Sequence, residues 1–140
     1  MVVGFDYIEH TADIGVRVWG DDYKDLFSQA AGALLSTIVI VKKKKNPTIT
    51  VSIELTGISY EDLLVKWLAE LLFHFETRRL VFSDFWIDEL TEKKLVATVK
   101  GIKFDNHLHK FGDIIKGVSY HNLEIKKTKD RLEATIVFDV

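Results

Sequence analysis

Acidic residues stand near both ends of this 140-residue chain, close to other groups that can bind a cation. Near the start, Glu9, His10 and Asp13 place two carboxylates and an imidazole within five positions. Near the end, Asp139 directly precedes Val140. Calcium binds about 6–8 carboxylate and carbonyl oxygens. If the fold brings the two ends together, Asp13, Asp139 and the main-chain oxygen of Val140 form a compact cation site.

Each of these residues also has a plainer interpretation. Asp13 follows Thr11-Ala12 at the start of a predicted strand, which is typical of a turn whose carboxylate accepts backbone N–H groups. Asp139 fits a solvent-facing residue on an edge strand. His10 either orients Asp13 or a partner's phosphate, or is a partly buried histidine with satisfied hydrogen bonds. Glu9 fits a solvated or structural acid. The local sequence leaves these alternatives open.

Other polar residues lie in the second half of the chain. Lys116 and His121 sit on a predicted strand, where they either bind phosphate or form a polar strand face. His107 and His109 are two positions apart in a predicted polar loop, Asp105–Ile115. Zinc sites usually use cysteine or histidines spaced along a helix, so this pair is a weak zinc signal.

Composition sets limits on function. The net charge of −2 gives no overall basic field for nucleic acid, although Lys42–Lys45 is either a solvated loop or a local phosphate contact. The absence of cysteine excludes disulfides, thiolate nucleophiles and cysteine-ligated metals. Residues 1–6 show no signal peptide, and no apolar run approaches the ~20 residues of a membrane span. We expect one cytoplasmic domain over residues 1–140.

Apolar periodicity predicts two helices and several strands. Three-to-four spacing predicts one helix from Tyr23 to Ser36 or slightly beyond. A second begins after Ser59, which with Asp62 resembles a capping box. Period-two alternation predicts the strands Phe5–Glu9, Ile14–Trp19 and Ile49–Leu55, and two hairpins, Leu80–Leu90 with Leu95–Phe104 and Val118–Lys127 with Arg131–Val140.

These elements predict an α+β fold. In the last strand, the residues Leu132, Ala134, Ile136, Phe138 and Val140 share one face. Hairpin pairing together with two amphipathic helices favours a two-layer domain. We expect both helices to pack on one face of a mixed, largely antiparallel sheet, in the order of about ββαβαββββ.

Taken together, these segments resemble the archease family. The resemblance covers essentially the whole chain, and its first and last motifs together are specific. The matching segments are Glu9–Gly15, Gly20, Leu26-Phe27, Ala30-Ala31, Asp62–Leu64, Trp67–Leu72, Lys116–His121 and Phe138–Val140. The chain departs from the family at Gly117-Val118-Ser119, where Ala-Val-Thr is frequent, and at Leu132, where an aromatic residue is frequent.

The resemblance implies an activator of the GTP-dependent tRNA-splicing RNA ligase, which promotes the ligase's guanylylation and multiple turnover. It implies that Asp13, Asp139 and Val140 bind a divalent metal, with calcium favoured over magnesium or manganese. Lys116 and His121 match signature positions and are expected to contact the ligase or nucleotide phosphates. The sequence has no nucleophile elbow, P-loop or His-Glu-x-x-His motif, which fits an activator better than an enzyme.

Two other functions remain open. The first is a metal-dependent hydrolase built from His10, Asp13, His121 and Asp139. The second is a chaperone-like binding module that uses an exposed apolar surface. Direct contact with RNA is left open, and no membrane partner is expected.

Overall fold

The computed structural model describes residues 4–8 and 13–140, so Glu9 and His10 lie outside the described residues. The helices are α1 (Tyr23–Ile38) and α2 (Tyr60–Arg78). The strands are β1 (Phe5–Ile8), β2 (Asp13–Gly20), β3 (Val39–Val41), β4 (Ile49–Thr56), β5 (Leu80–Leu90), β6 (Lys94–Lys103), β7 (His109–Phe111), β8 (Gly117–Val118), β9 (Ile125–Lys127) and β10 (Leu132–Asp139). The α+β class and the approximate order are confirmed, with short strands added.

The described strands form three sheets rather than one. The largest has the order β1-β2-β10-β8, and β9 also pairs with β10. The second has the order β4-β6-β5, and the third joins β3 to β7. All of these pairings are antiparallel. The predicted β5–β6 hairpin is confirmed, because the two strands pair in antiparallel register. A short turn between consecutive strands allows this pairing.

Both helices begin with side-chain caps. Asp22 Oδ1 accepts a hydrogen bond from the Asp25 N–H (2.8 Å), which satisfies one of the unpaired donors of the first turn of α1. Ser59 Oγ accepts from the Asp62 N–H (3.1 Å) at the start of α2. The predicted Ser59 cap is therefore confirmed. No helix in the described part of the chain is long and apolar enough to cross a membrane.

The core lies between the helices and the two larger sheets. Helix α1 packs against both β2 and β5, so it links these sheets. Its small residues Ala30, Ala31 and Ala33 are completely buried, which allows this close packing. Helix α2 packs against α1, and the Trp67 Nε1–H donates to the Phe27 carbonyl oxygen (2.9 Å). This bond satisfies the only polar group of a fully buried indole.

Two sequence predictions in the second half of the chain are wrong. Val118–Lys127 is not one strand, because β8 ends at Val118 and β9 begins only at Ile125. Between them Ser119 Oγ accepts from the His121 N–H (3.0 Å), so His121 lies in a turn. The predicted Asp105–Ile115 loop contains β7, which pairs with β3. Strands of two or three residues are too short to show alternation.

Replacing Trp67 by Phe is expected to lower the free energy of unfolding by about 2–3 kcal/mol. The substitution removes the hydrogen bond from the indole to the Phe27 carbonyl and creates a cavity where the larger ring was. Urea unfolding followed by circular dichroism measures the change. Trp86→Phe is the matched control, because Trp86 is 61% exposed and should change stability by less than about 0.5 kcal/mol. Equal losses from the two substitutions would contradict this account of the core.

Candidate functional site

The two acids from opposite ends of the chain meet in the largest sheet. Asp13 is the first residue of β2 and Asp139 is the last residue of β10, and their Cα atoms are direct partners in the antiparallel register. Residues paired in this way point to the same face with Cβ atoms about 4.5–5.5 Å apart. Asp139 is exposed and Asp13 is half-buried. The fold therefore brings the two predicted carboxylates together.

A third strand completes this row of residues. Gly117 in β8 is paired with Asp139 on the side away from Asp13. A Cβ atom at Gly117 would lie 3.8 Å from Asp139 Oδ2, so the carboxylate leans over a position that carries no side chain. The Lys116 N–H donates to the Asp139 main-chain oxygen (2.7 Å). Val140 follows directly and is 45% exposed. We call Asp13, Asp139 and Gly117 the acidic row.

The acidic row places two carboxylates directly opposite one another on paired strands, and carboxylate oxygens are ligands that hard cations prefer. Within residues 4–8 and 13–140, no group of three or more His, Cys, Asp or Glu side chains could hold a metal. The described donors are therefore two carboxylates and adjacent main-chain oxygens. The metal assignment of Asp13, Asp139 and Val140 remains a prediction.

Lys116 and His121 end up in different surroundings. Lys116 is exposed and is tied to Asp139 through its backbone. His121 is also exposed, but it lies beyond the end of β8 and outside the acidic row. The neighbouring Tyr120 hydroxyl donates to Asp62 Oδ1 (3.3 Å), which ties this turn to the start of α2. Burial, together with the Asp62 charge, raises the pKa of Tyr120.

His109 has a structural role instead of a place in a zinc site with His107. Its side chain is buried, and its Nδ1 accepts a hydrogen bond from the Asp105 N–H (3.0 Å). Asp105 Oδ1 in turn accepts from the His107 N–H (2.8 Å). Burial lowers the pKa of His109, opposed by Asp105 and aided by Lys42. These bonds close the connection between β6 and β7.

A groove that the sequence patterns did not predict lies between the end of α2 and residues 111–116. It has a volume of about 740 Å³, and its lining includes Leu72, Phe75, Arg79, Phe111, Ile114 and Lys116. Phe111 is 50% exposed and Ile114 is 83% exposed. Two large apolar residues inside a predicted polar loop were the available signal. Since Lys116 also belongs to the groove lining, the groove reaches the residue that is bonded to Asp139.

Comparisons with known proteins agree along the length of the chain. The Archease protein family (MTH1598/TM1083) matches residues 5–140. Protein archease of Methanosarcina acetivorans is 36% identical over 140 residues, which cover 97% of this chain and 95% of that protein. Protein archease of Pyrococcus abyssi is 38% identical over 140 residues, covering 97% of this chain and 98% of that protein.

Solved structures with the same fold also match. The solution structure of protein 1598 from Methanobacterium thermoautotrophicum has a TM-score of 0.82 at 27% identity, covering 99% of this chain and 100% of that one. The crystal structure of a Thermotoga maritima protein, described as an archease and possible chaperone, has a TM-score of 0.67 at 23% identity. It covers 95% of this chain and 94% of that one, and this likeness supports the fold alone.

The buried His109 should make stability depend on pH. Its folded-state pKa lies below the ordinary value of about 6.5, so at lower pH the unfolded state binds a proton that the folded state does not. The contribution of neutral His109 to the free energy of unfolding is fully present above about pH 6.5. It is lost as the pH falls toward the folded-state pKa. Urea unfolding between pH 8 and pH 5 should show a smaller loss for His109→Gln than for the wild type. His107→Gln, an exposed neighbour, should behave like the wild type, and identical slopes for all three proteins would contradict this assignment.

Proposed function

We propose that this chain, which belongs to the archease protein family, activates the GTP-dependent tRNA-splicing RNA ligase as a protein cofactor. In this role it promotes guanylylation and multiple turnover of the ligase during tRNA splicing in the cytoplasm. The observation that carries the proposal is the direct register of Asp13 with Asp139, at the ends of two neighbouring interior strands of the largest sheet. Family membership supports the choice of partner.

The donor chemistry of the acidic row fits a hard divalent cation. Asp13 and Asp139 would supply carboxylate oxygens, and Val140 would supply a main-chain oxygen. Oxygen-only donors suit calcium, magnesium or manganese better than a soft metal, and irregular geometry suits calcium best. When bound, such a cation supplies positive charge that phosphate groups can approach.

The chain's own residues would hold and present this charge. Asp139 is fixed at the surface by two neighbouring strands and by the Lys116 N–H, so little conformational entropy is lost when a partner binds there. Lys116 and His121 are exposed, and both are proposed to contact the ligase or its nucleotide phosphates. To activate the ligase, the protein must bind its guanylylation-competent state more tightly than its other states.

An activator accounts for the described site better than an enzyme does. A hydrolase built from His10, Asp13, His121 and Asp139 would need the histidines beside the acids. His121 lies outside the acidic row, beyond the end of β8. A chaperone-like module working through apolar surface alone would not need the carboxylates. Turnover of phosphate esters by the purified protein without the ligase would favour the hydrolase instead.

Removing either carboxylate should abolish activation of the ligase. Asp13→Asn and Asp139→Asn are each expected to reduce stimulated guanylylation at least tenfold. Each replaces a charged carboxylate ligand with a neutral amide of nearly the same size. The assay follows transfer of GMP to the purified ligase with and without this protein. Asp130→Asn is the matched control, because Asp130 is an exposed acid just before the other end of β10. Unchanged guanylylation with Asp13→Asn would show that the site assignment is wrong.

Calcium should stabilise the wild-type protein through the acidic row. At a free concentration of about 100 times Kd, the free energy of unfolding is expected to rise by about 2.7 kcal/mol. Asp139→Asn should lose this response. Urea unfolding with calcium or with a chelator measures this response. An equal calcium response in the two proteins would contradict the metal assignment alone.

A further inference from the structure

Arg79 occupies a backbone position that ordinarily favours glycine. It follows α2 as the C-cap residue with φ 52° and ψ 40°, which is the left-handed helical region. Glycine is most common at such helix ends because other residues are disfavoured there by their Cβ atom. A non-glycine residue held in this conformation points to a role for its side chain.

The guanidinium of Arg79 is held in place by two aromatic rings. Its Cζ lies 5.3 Å from the centre of the Phe75 ring and 5.2 Å from the centre of the Phe111 ring. Phe111 is itself stacked on Phe104, with ring centres 4.1 Å apart and planes 9° apart. Cation–π contacts with both rings restrict the position of the guanidinium.

Arg79 makes no ion pair with any carboxylate in residues 4–8 and 13–140. A planar guanidinium recognises a carboxylate through two parallel hydrogen bonds. An exposed arginine whose position is already fixed loses less entropy when it forms that pair. Arg79 is therefore prepared to bind an anionic group that comes from outside the described chain.

The groove beside Arg79 is fixed in shape and largely apolar. The Gly112 N–H donates to the Ile38 carbonyl oxygen (2.8 Å), and the Asp113 N–H donates to the Thr37 carbonyl oxygen (2.9 Å). These bonds hold the segment against the end of α1. A Cβ atom at Gly112 would lie 2.3 Å from the Thr37 oxygen, so only glycine permits this approach.

We propose that this groove is the surface through which the protein holds the ligase. The occupant is a ligase segment that carries an apolar side chain beside a carboxylate. The apolar side chain enters between Phe75 and Ile114, and the carboxylate pairs with Arg79. The groove reaches Lys116, which is bonded to Asp139, so a partner that covers the acidic row also meets the groove. This inference rests on the proposed function.

The charges in the groove favour a protein segment over RNA. Two acids, Glu76 and Asp113, line it together with Arg79 and Lys116, so the charges are balanced. A chain of phosphates requires several cations along its length, and this groove has no net positive charge. A segment with a single carboxylate can reach Arg79 while its apolar side chain occupies the rest of the groove.

The test separates binding from activation. Arg79→Gly removes the guanidinium while fitting the left-handed backbone, and it should weaken binding to the purified ligase at least tenfold by calorimetry. Saturating amounts of the variant should restore the full guanylylation rate. Ile114→Ser should also weaken binding, and its exposure keeps the fold intact. Arg78→Ala, with the same charge change one residue earlier on an exposed side chain, should bind like the wild type.

Each outcome supports or overturns the inference. Equal affinity of the wild type, Arg79→Gly and Ile114→Ser for the ligase would overturn it. If Arg79→Gly and Ile114→Ser bind a single-stranded RNA oligonucleotide more weakly than the wild type but bind the ligase equally well, RNA is the occupant. That result would also overturn the inference. If the wild type binds the ligase without stimulating it, the proposed function fails. The affinity of Arg79→Gly for the ligase then still shows whether the groove is the binding surface. If the wild type does not bind the ligase, both fail.

Discussion

The antiparallel pairing of β2 with β10 is the constraint on which the candidate site depends. It joins a strand from the start of the chain to the strand at its end, from Asp13↔Asp139 to Gly20↔Leu132. The register is fixed by burial, because Val16 is paired with Ile136 and both lie in the core. A slip of one residue would turn the apolar face of β10 toward solvent and separate the two carboxylates. The hydrophobic core therefore sets the geometry of a polar site on the opposite face.

Helix α1 transmits this order to the rest of the molecule. It packs against the sheet that contains the acidic row and against β5 of the second sheet. The chain turns from β2 into α1 at Gly20, where a Cβ atom would lie 2.4 Å from the Leu26 backbone nitrogen. Any larger residue would push the helix away from the strand. The buried bond from Trp67 to Phe27 then fixes α2 against α1.

The end of α2 and the acidic row form one continuous stretch of surface. Arg79 and Lys116 both line the groove, and the Lys116 backbone N–H is bonded to Asp139. This arrangement provides separate places for affinity and for charge. An apolar groove with a fixed arginine can hold a partner, and a pair of surface carboxylates can present a cation to it.

The sequence by itself determined the features that local patterns encode. Three-to-four spacing and the Ser59 cap predicted the helices, and alternation predicted the β5–β6 hairpin and the buried face of β10. The motifs also indicated the family, and with it Asp13 and Asp139. Only the tertiary structure decided that these acids are direct partners, that the strand around His121 is interrupted, and that Arg79 contacts two aromatic rings. Those features depend on contacts between residues far apart in the chain, and strands of two or three residues leave no periodic signal.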